Sequence, residues 1–184
     1  MRALNTIRLL LASLVWLAMS SAGWAQTKAP DYEVKAAFLL NFPKYVEWSQ
    51  EALTNTNSPI VLGCLGESKI SEALRKAIQN RPASGRAVVV KVINSETESA
   101  GCHILFIGDA ERRRLSAILE ILKGTNLLTV GESDDFLDKG GVINFALRDR
   151  KVRVQVNLDA ARQANLKISS KLLSVADVVK NNAN

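Results

Sequence analysis

Residues 101–124 read GCHILFIGDAERRRLSAILEILKG. Cys102–Ile107 is nearly all apolar, the pattern of a strand covered on both faces in a parallel sheet. Asp109 then stands where a helix N-cap is expected. Leu115, Ile118, Leu119 and Leu122 recur at helical spacing through Ala110–Lys123, and Gly124 ends the run. One buried strand followed by one amphipathic helix is the repeating unit of an α/β sheet.

The same unit precedes it. Ile60–Leu65 is a short apolar strand running into Gly66, and Ser68 is placed to cap a helix over Lys69–Gln79. Ile70, Ala73, Leu74 and Ala77 share one face of that helix. Arg81–Gly85 reads as a turn, Ala87–Ile93 as a second strand and Asn94–Gly101 as a polar loop. Further upstream, Asp31 caps a helix over DYEVKAAFLLNFPKYVEWS (31–49). Pro43 should kink or split that helix near Asn41 and Phe42. Thr54–Pro59 is a polar loop.

Downstream, Leu127–Val130 is a fourth strand, and Asp134–Asp138 reads as one short helical turn. Residues 142–158, VINFALRDRKVRVQVNL, alternate on both sides of Asp149-Arg150 and form an antiparallel hairpin with one wetter face. Asp159–Asn165 and Ser169–Lys180 read as closing helices. The expectation is therefore an α/β fold: a single domain over 31–180, a mixed β-sheet flanked by helices, and a late antiparallel hairpin.

The chain ends carry separate signals. Residues 1–25, MRALNTIRLLLASLVWLAMSSAGWA, have basic Arg2 and Arg8, an apolar run from Leu9 to Met19, and small residues before Ala25. This is the layout of a cleaved secretory signal peptide, and its apolar core is too short to span a bilayer. Residues 26–30 read as a flexible tail and 181–184 as a frayed end.

Lys and Arg total 24 against 18 Asp and Glu, a formal net charge of +6, two of the arginines lying in the leader. The charges are scattered, and aromatic residues are only 5% of the chain. Without a basic run or stacking platforms, nucleic acid is not an expected partner. Export and an even cysteine count predict a disulfide between Cys64 and Cys102. If the first and third strands are parallel neighbours, however, the two cysteines sit at opposite strand ends and are too far apart to join.

Catalytic signatures are missing. The sequence has no G-x-S-x-G, S-x-x-K, H-E-x-x-H or phosphate-binding glycine loop. His103, the single histidine, lies within a strand and reads as structural. Glu132, Asp134, Asp135 and Asp138 do not follow a calcium-loop spacing and read as a solvated acidic turn. No enzyme, cofactor or metal is expected. Partner contacts are expected at large apolar residues, Phe42, Trp48 and Phe145, and on the wet face of the last hairpin strand, where Arg153, Gln155 and Asn157 stand in line. A small molecule held in the crevice at the strand ends is the alternative.

DYEVKAAFLLNFPKYVEWS, GCHILFIG, LLTVGES (127–133), GGVINFALRDRKVRVQVNL (140–158) and LKISSKLL (166–173) together resemble the YfiR family, over about Tyr32–Val179. The resemblance implies a periplasmic, non-catalytic protein that represses a membrane-bound diguanylate cyclase through the enzyme's periplasmic sensor domain. That repression lowers cyclic di-GMP and biofilm formation. The resemblance also implies release through an outer-membrane lipoprotein, and dimer formation. Cys64 and Cys102 match a family cysteine pair, while a second, later pair found in some members has no counterpart here.

Overall fold

Ile60–Leu65 (β2), Val88–Ile93 (β3), Ile104–Ile107 (β4), Leu128–Gly131 (β5) and Ile143–Arg148 (β6) run parallel, in the order β3-β2-β4-β5-β6. Lys151–Asn157 (β7) then pairs antiparallel with β6, and Asp177–Val179 (β9) pairs parallel with β7, completing seven strands. Two short strands, Val46–Glu47 (β1) and Lys167–Ile168 (β8), form a separate antiparallel pair. The computed structural model describes residues 29–49, 53, 58–79 and 86–179. The expected signal peptide, most of the tail that follows it, the turn at 81–85 and the end at 181–184 lie outside the described residues.

The chain leaves β2 in one direction for β3 and crosses β2 again to reach β4. Right-handed crossovers then place the connecting helices on opposite faces. Lys69–Gln79 (α2) accordingly packs Ile70 and Leu74 into one core, with Leu62, Cys64, Ile104 and Phe106. Leu115–Ile121 (α3) packs Leu115, Ile118 and Leu119 into the other, with Leu65, Ile93, Leu105 and Ile107. All four residues of β4 are buried and alternate between the two cores, as its unbroken apolar run requires. Asp31–Asn41 (α1), Leu158–Gln163 (α4) and Ser170–Leu173 (α5) are the other α-helices among the described residues. Ala36, Leu39 and Leu40 of α1, Ala160 and Ala161 of α4, and Leu172 of α5 join the first core.

Several expectations need correction. Pro30, not Asp31, is the N-cap of α1 and offers no side-chain bond, so Asp31 is a first-turn acid whose charge suits the helix dipole. The helix stops at Asn41 before Pro43, and Phe42–Lys44 tightens into a 3₁₀ turn leading to β1. The helix expected over Ala110–Lys123 opens with a 3₁₀ turn at Asp109–Glu111 and becomes regular only from Leu115. Asp134–Asp138 forms turns rather than a helix. The closing helix over Ser169–Lys180 is confined to Ser170–Leu173, and Asp177–Val179 pairs with β7 instead.

One packing device lies beyond any periodicity. Phe136 is fully buried, and its ring occupies the space that a Cβ on Gly131 or on Gly141 would need. The two glycines seat the 132–141 loop on the sheet by letting an aromatic ring reach the backbone.

Candidate docking surface

Helix α1 is long enough to cover part of the first core, but its outer side is not sealed. A groove of about 610 Å³ runs between α1 and α2, over Ala36, Ala37, Ala73 and Ala77 and rimmed by Glu33, Lys69, Glu72 and Lys76. A second groove of about 450 Å³ lies on the other flank, walled by Val34, Phe38, Tyr45, Leu172 and Val175. Ala37 and Asn41 border both, and Ala37 is exposed. Alanine at the four floor positions keeps the first trough open, since larger side chains would fill it. The result is one exposed helical ridge between two troughs, a shape that accepts the side chains of a partner helix or loop. Val175, at 72% exposure, extends the apolar rim.

An aromatic stack supports this ridge from below. The ring centroids of Phe38 and Phe42 lie 6.4 Å apart, those of Phe38 and Phe145 6.0 Å, and those of Phe42 and Phe145 5.9 Å. Phe42 is 1% and Phe145 2% exposed, so both are core residues and neither can touch a partner. Phe38, half-buried, is the member of the trio that reaches the groove.

The other expected contact residues separate as well. Trp48 is half-buried, and its indole N–H donates to the His103 carbonyl at 3.3 Å. The two rings meet edge to face at 6.3 Å. His103 Nδ1 accepts the Val61 N–H at 3.0 Å, so this histidine ties β2 to the start of β4. Arg153 remains on the exposed sheet face, away from the grooves. Asn157 is 1% exposed. Its Oδ1 caps α4 by accepting the Ala160 N–H at 3.0 Å, and its Nδ2 donates to the Leu137 carbonyl at 3.1 Å. It is a buried capping residue and not part of a wet face.

The expected disulfide is absent: Cys64 and Cys102 are free thiols. Cys64 points into the core beneath α2. Cys102 Sγ lies 3.0 Å from where a Cβ on Gly63 would stand, and a Gly63 side chain would project away from Cys64. A bridge requires Cβ vectors that converge, but Cys102 precedes β4 and its thiol rests over Gly63, on the face opposite Cys64. Burial pushes the Cys64 thiol up to about 12, and burial also raises that of Cys102.

Charged groups gather at the carboxyl ends of β4 and β5. Lys35 of α1 reaches Glu132 at 2.6 Å, with both side chains mostly buried. Glu132 also accepts the Asp109 N–H at 3.1 Å, and the Ser133 hydroxyl donates to Asp109 at 3.1 Å. Asp135 pairs with Lys139 at 2.8 Å, and that hydrogen bond holds its carboxyl below the usual range. Among the described residues no three acidic, histidine or cysteine side chains form a metal site. No described helix is long and apolar enough to cross a membrane.

A sequence model of the YfiR/HmsC-like family, DUF4154, matches residues 32–177. The chain belongs to the YfiR/HmsC-like family. Members of this family are represented here from the second residue of α1 to the first of β9, so the match takes in both grooves. No curated protein matches the sequence. The fold is similar to the ABC domain from Streptococcus pneumoniae solved in complex with L-Trp, with a TM-score of 0.53, 10% identity, 78% of this chain covered and 60% of that one. It is also similar to a conserved domain protein from Vibrio cholerae O1 biovar El Tor strain N16961, with a TM-score of 0.50, 10% identity, 82% of this chain covered and 60% of that one. The YfiR/HmsC-like chain thus spans less than two thirds of either structure, and at such identity the likeness is one of fold.

Proposed function

We propose that this YfiR/HmsC-like chain is a periplasmic regulator that binds the periplasmic sensor domain of a membrane diguanylate cyclase and represses it. The family match over residues 32–177 carries this reading. The open ridge of α1 supplies the contact surface. Repression is allosteric: the chain favours the inactive arrangement of the cyclase only by as much as it binds that arrangement more tightly. Lower cyclic di-GMP and less biofilm follow, and an outer-membrane lipoprotein that competes for the regulator would relieve the repression.

The experiment is affinity purification of the exported protein from solubilised membranes, with cyclic di-GMP measured in the presence and absence of its gene. A membrane cyclase recovered with the wild type, and not with Ala37→Arg, supports the reading. No cyclase and unchanged cyclic di-GMP would refute it.

A second reading rests on the groove between α1 and α2. Its volume of about 610 Å³ lies in the range of small-molecule sites, with an apolar floor and charged rim. A melting temperature that rises with a soluble metabolite, and does not rise in Ala73→Trp, would favour it.

A further inference from the structure

The late hairpin runs past both of its neighbours in the sheet. β5 last pairs with β6 at Asn144, and β9 first pairs with β7 at Gln155. From Phe145 to Val154 the two strands pair only with each other, so the distal hairpin is a two-stranded ribbon. Arg148, Arg150, Lys151 and Arg153 are all exposed on it. Outside the leader, basic residues exceed acidic ones by four, and Arg148–Arg153 holds three of that excess. Asp149 in the turn and Asp177 on β9 are the acids of these strands. None of the four cations joins an ion pair among the described residues.

Two local rules are broken to place these charges. Arg148 and Lys151 are direct cross-strand partners, so like charges stand opposite each other. Asp149 and Arg150 both take positive φ, 51° and 55°. Asparagine followed by glycine is the ordinary choice for such a turn, and an arginine held there is strained. Both features oppose stability, and conflicts of this kind that persist in a native sequence mark functional sites. The ribbon is also two-sided. Arg148, Lys151 and Arg153 share one face, since Arg148 pairs with Lys151 and Arg153 lies two residues on. On the other face Val152 packs against the first core, and its partner Leu147 is 57% exposed.

We propose that this hairpin tip docks on an anionic phospholipid surface, its cations on the lipid phosphates and Leu147 among the headgroups. Charge complementarity selects an anionic partner. A bilayer fits better than an acidic protein patch for two reasons. An exposed apolar side chain beside unpaired cations is the composition of interfacial segments. Lipid phosphates also form a mobile array, which four cations without fixed partners can meet at any spacing. Each such cation strengthens binding about fivefold, so the tip is a weak dock that works by summing its charges. It lies apart from the α1 grooves and does not depend on a cyclase partner.

Cosedimentation of the exported protein with vesicles tests this, with circular dichroism to confirm that each variant folds. Vesicles of phosphatidylcholine mixed with phosphatidylglycerol should bind the protein at low ionic strength and release it as salt rises. Vesicles of phosphatidylcholine alone should not bind it. Arg148→Gln combined with Arg150→Gly should weaken binding to the mixed vesicles about twentyfold or more. Arg150→Gly alone relieves the positive φ, so it should raise the melting temperature while weakening vesicle binding. An arginine kept for structure alone would not part these two readouts. No binding to the mixed vesicles at low salt overturns the proposal. So does equal binding to neutral vesicles, or a double variant that binds as the wild type does.

Discussion

Cys64 and Cys102 lie on opposite faces of one parallel sheet. Cys64 is wholly buried among Leu62, Ile104 and Phe106, while Cys102 rests over Gly63 on the far side. Neighbouring residues of a strand project to opposite faces, so the contact of Cys102 with the Gly63 position excludes Cys64. In this arrangement the two thiols project from opposite faces and are not bridged.

The native protein should therefore show two free thiols by mass spectrometry after alkylation in denaturant. Without denaturant, Cys64 should react far more slowly than Cys102. Cys64→Ser buries a hydroxyl in an apolar core and should destabilise by about 1–3 kcal/mol, read from denaturant unfolding. A stable bridge in oxidised native protein would contradict this assignment.

The same thiol makes stability depend on pH. Folding raises the Cys64 pKa from 9.0 to about 12. The unfolded state therefore loses its proton first as pH rises. The contribution is complete below pH 9 and is lost progressively between pH 9 and 12. Wild-type protein should lose more stability across that window than Cys64→Ala, whose titration there is removed. Equal losses would show that Cys64 does not govern the alkaline limb.

Gly131 and Gly141 should be intolerant of any side chain. Alanine at either position collides with the Phe136 ring, and overpacking of this kind costs about 1–3 kcal/mol or more. Phe136→Ala alone should cost about 3–5 kcal/mol through the cavity it leaves. In the double variant Gly131→Ala with Phe136→Ala the clash is gone, so the summed single losses should exceed the measured one. Simple additivity in thermal or denaturant unfolding would contradict the contact.

The ion pair between Lys35 and Glu132 ties α1 to the ends of the parallel strands. Its side chains are 16% and 20% exposed, and Glu132 serves the Asp109 N–H as well. Glu132→Ala removes the partner of a part-buried lysine and the acceptor of the Asp109 N–H, and should lose about 1–3 kcal/mol. Glu132→Gln keeps an acceptor and should lose less. Hydrogen exchange should rise most in α1. A loss spread evenly over the molecule would argue against a local tie.

Much of this fold is legible in the residues themselves. Ser68 and the Ile70–Leu74 spacing define α2 over Lys69–Gln79, because Ser68 Oγ does accept the Ser71 N–H, at 3.2 Å. The hairpin is equally plain, with Asp149 and Arg150 turning at φ of 51° and 55°. β9 is hidden because LLSVADVVK has helical spacing, and only its pairing with β7, remote in sequence, makes it a strand. β1 and β8, two residues each, are too short to carry any period. The candidate surface is legible only in part. Phe42, Phe145 and Asn157 suit contact by residue type, but the two phenylalanines stack on each other in the core and Asn157 is buried as the cap of α4. The grooves arise from small side chains, Ala37, Ala73 and Ala77, that give no signal until two helices are set side by side.

If repression of a membrane cyclase runs through the α1 ridge, cyclic di-GMP reports it in cells lacking the gene and complemented by wild type or by Ala37→Arg at equal protein level. Ala37 is exposed, so this variant should keep its melting temperature within a few degrees. Deletion should raise cyclic di-GMP, wild type should restore it, and Ala37→Arg should leave it high. Cyclic di-GMP that does not respond to deletion, or that Ala37→Arg restores fully, would contradict the account.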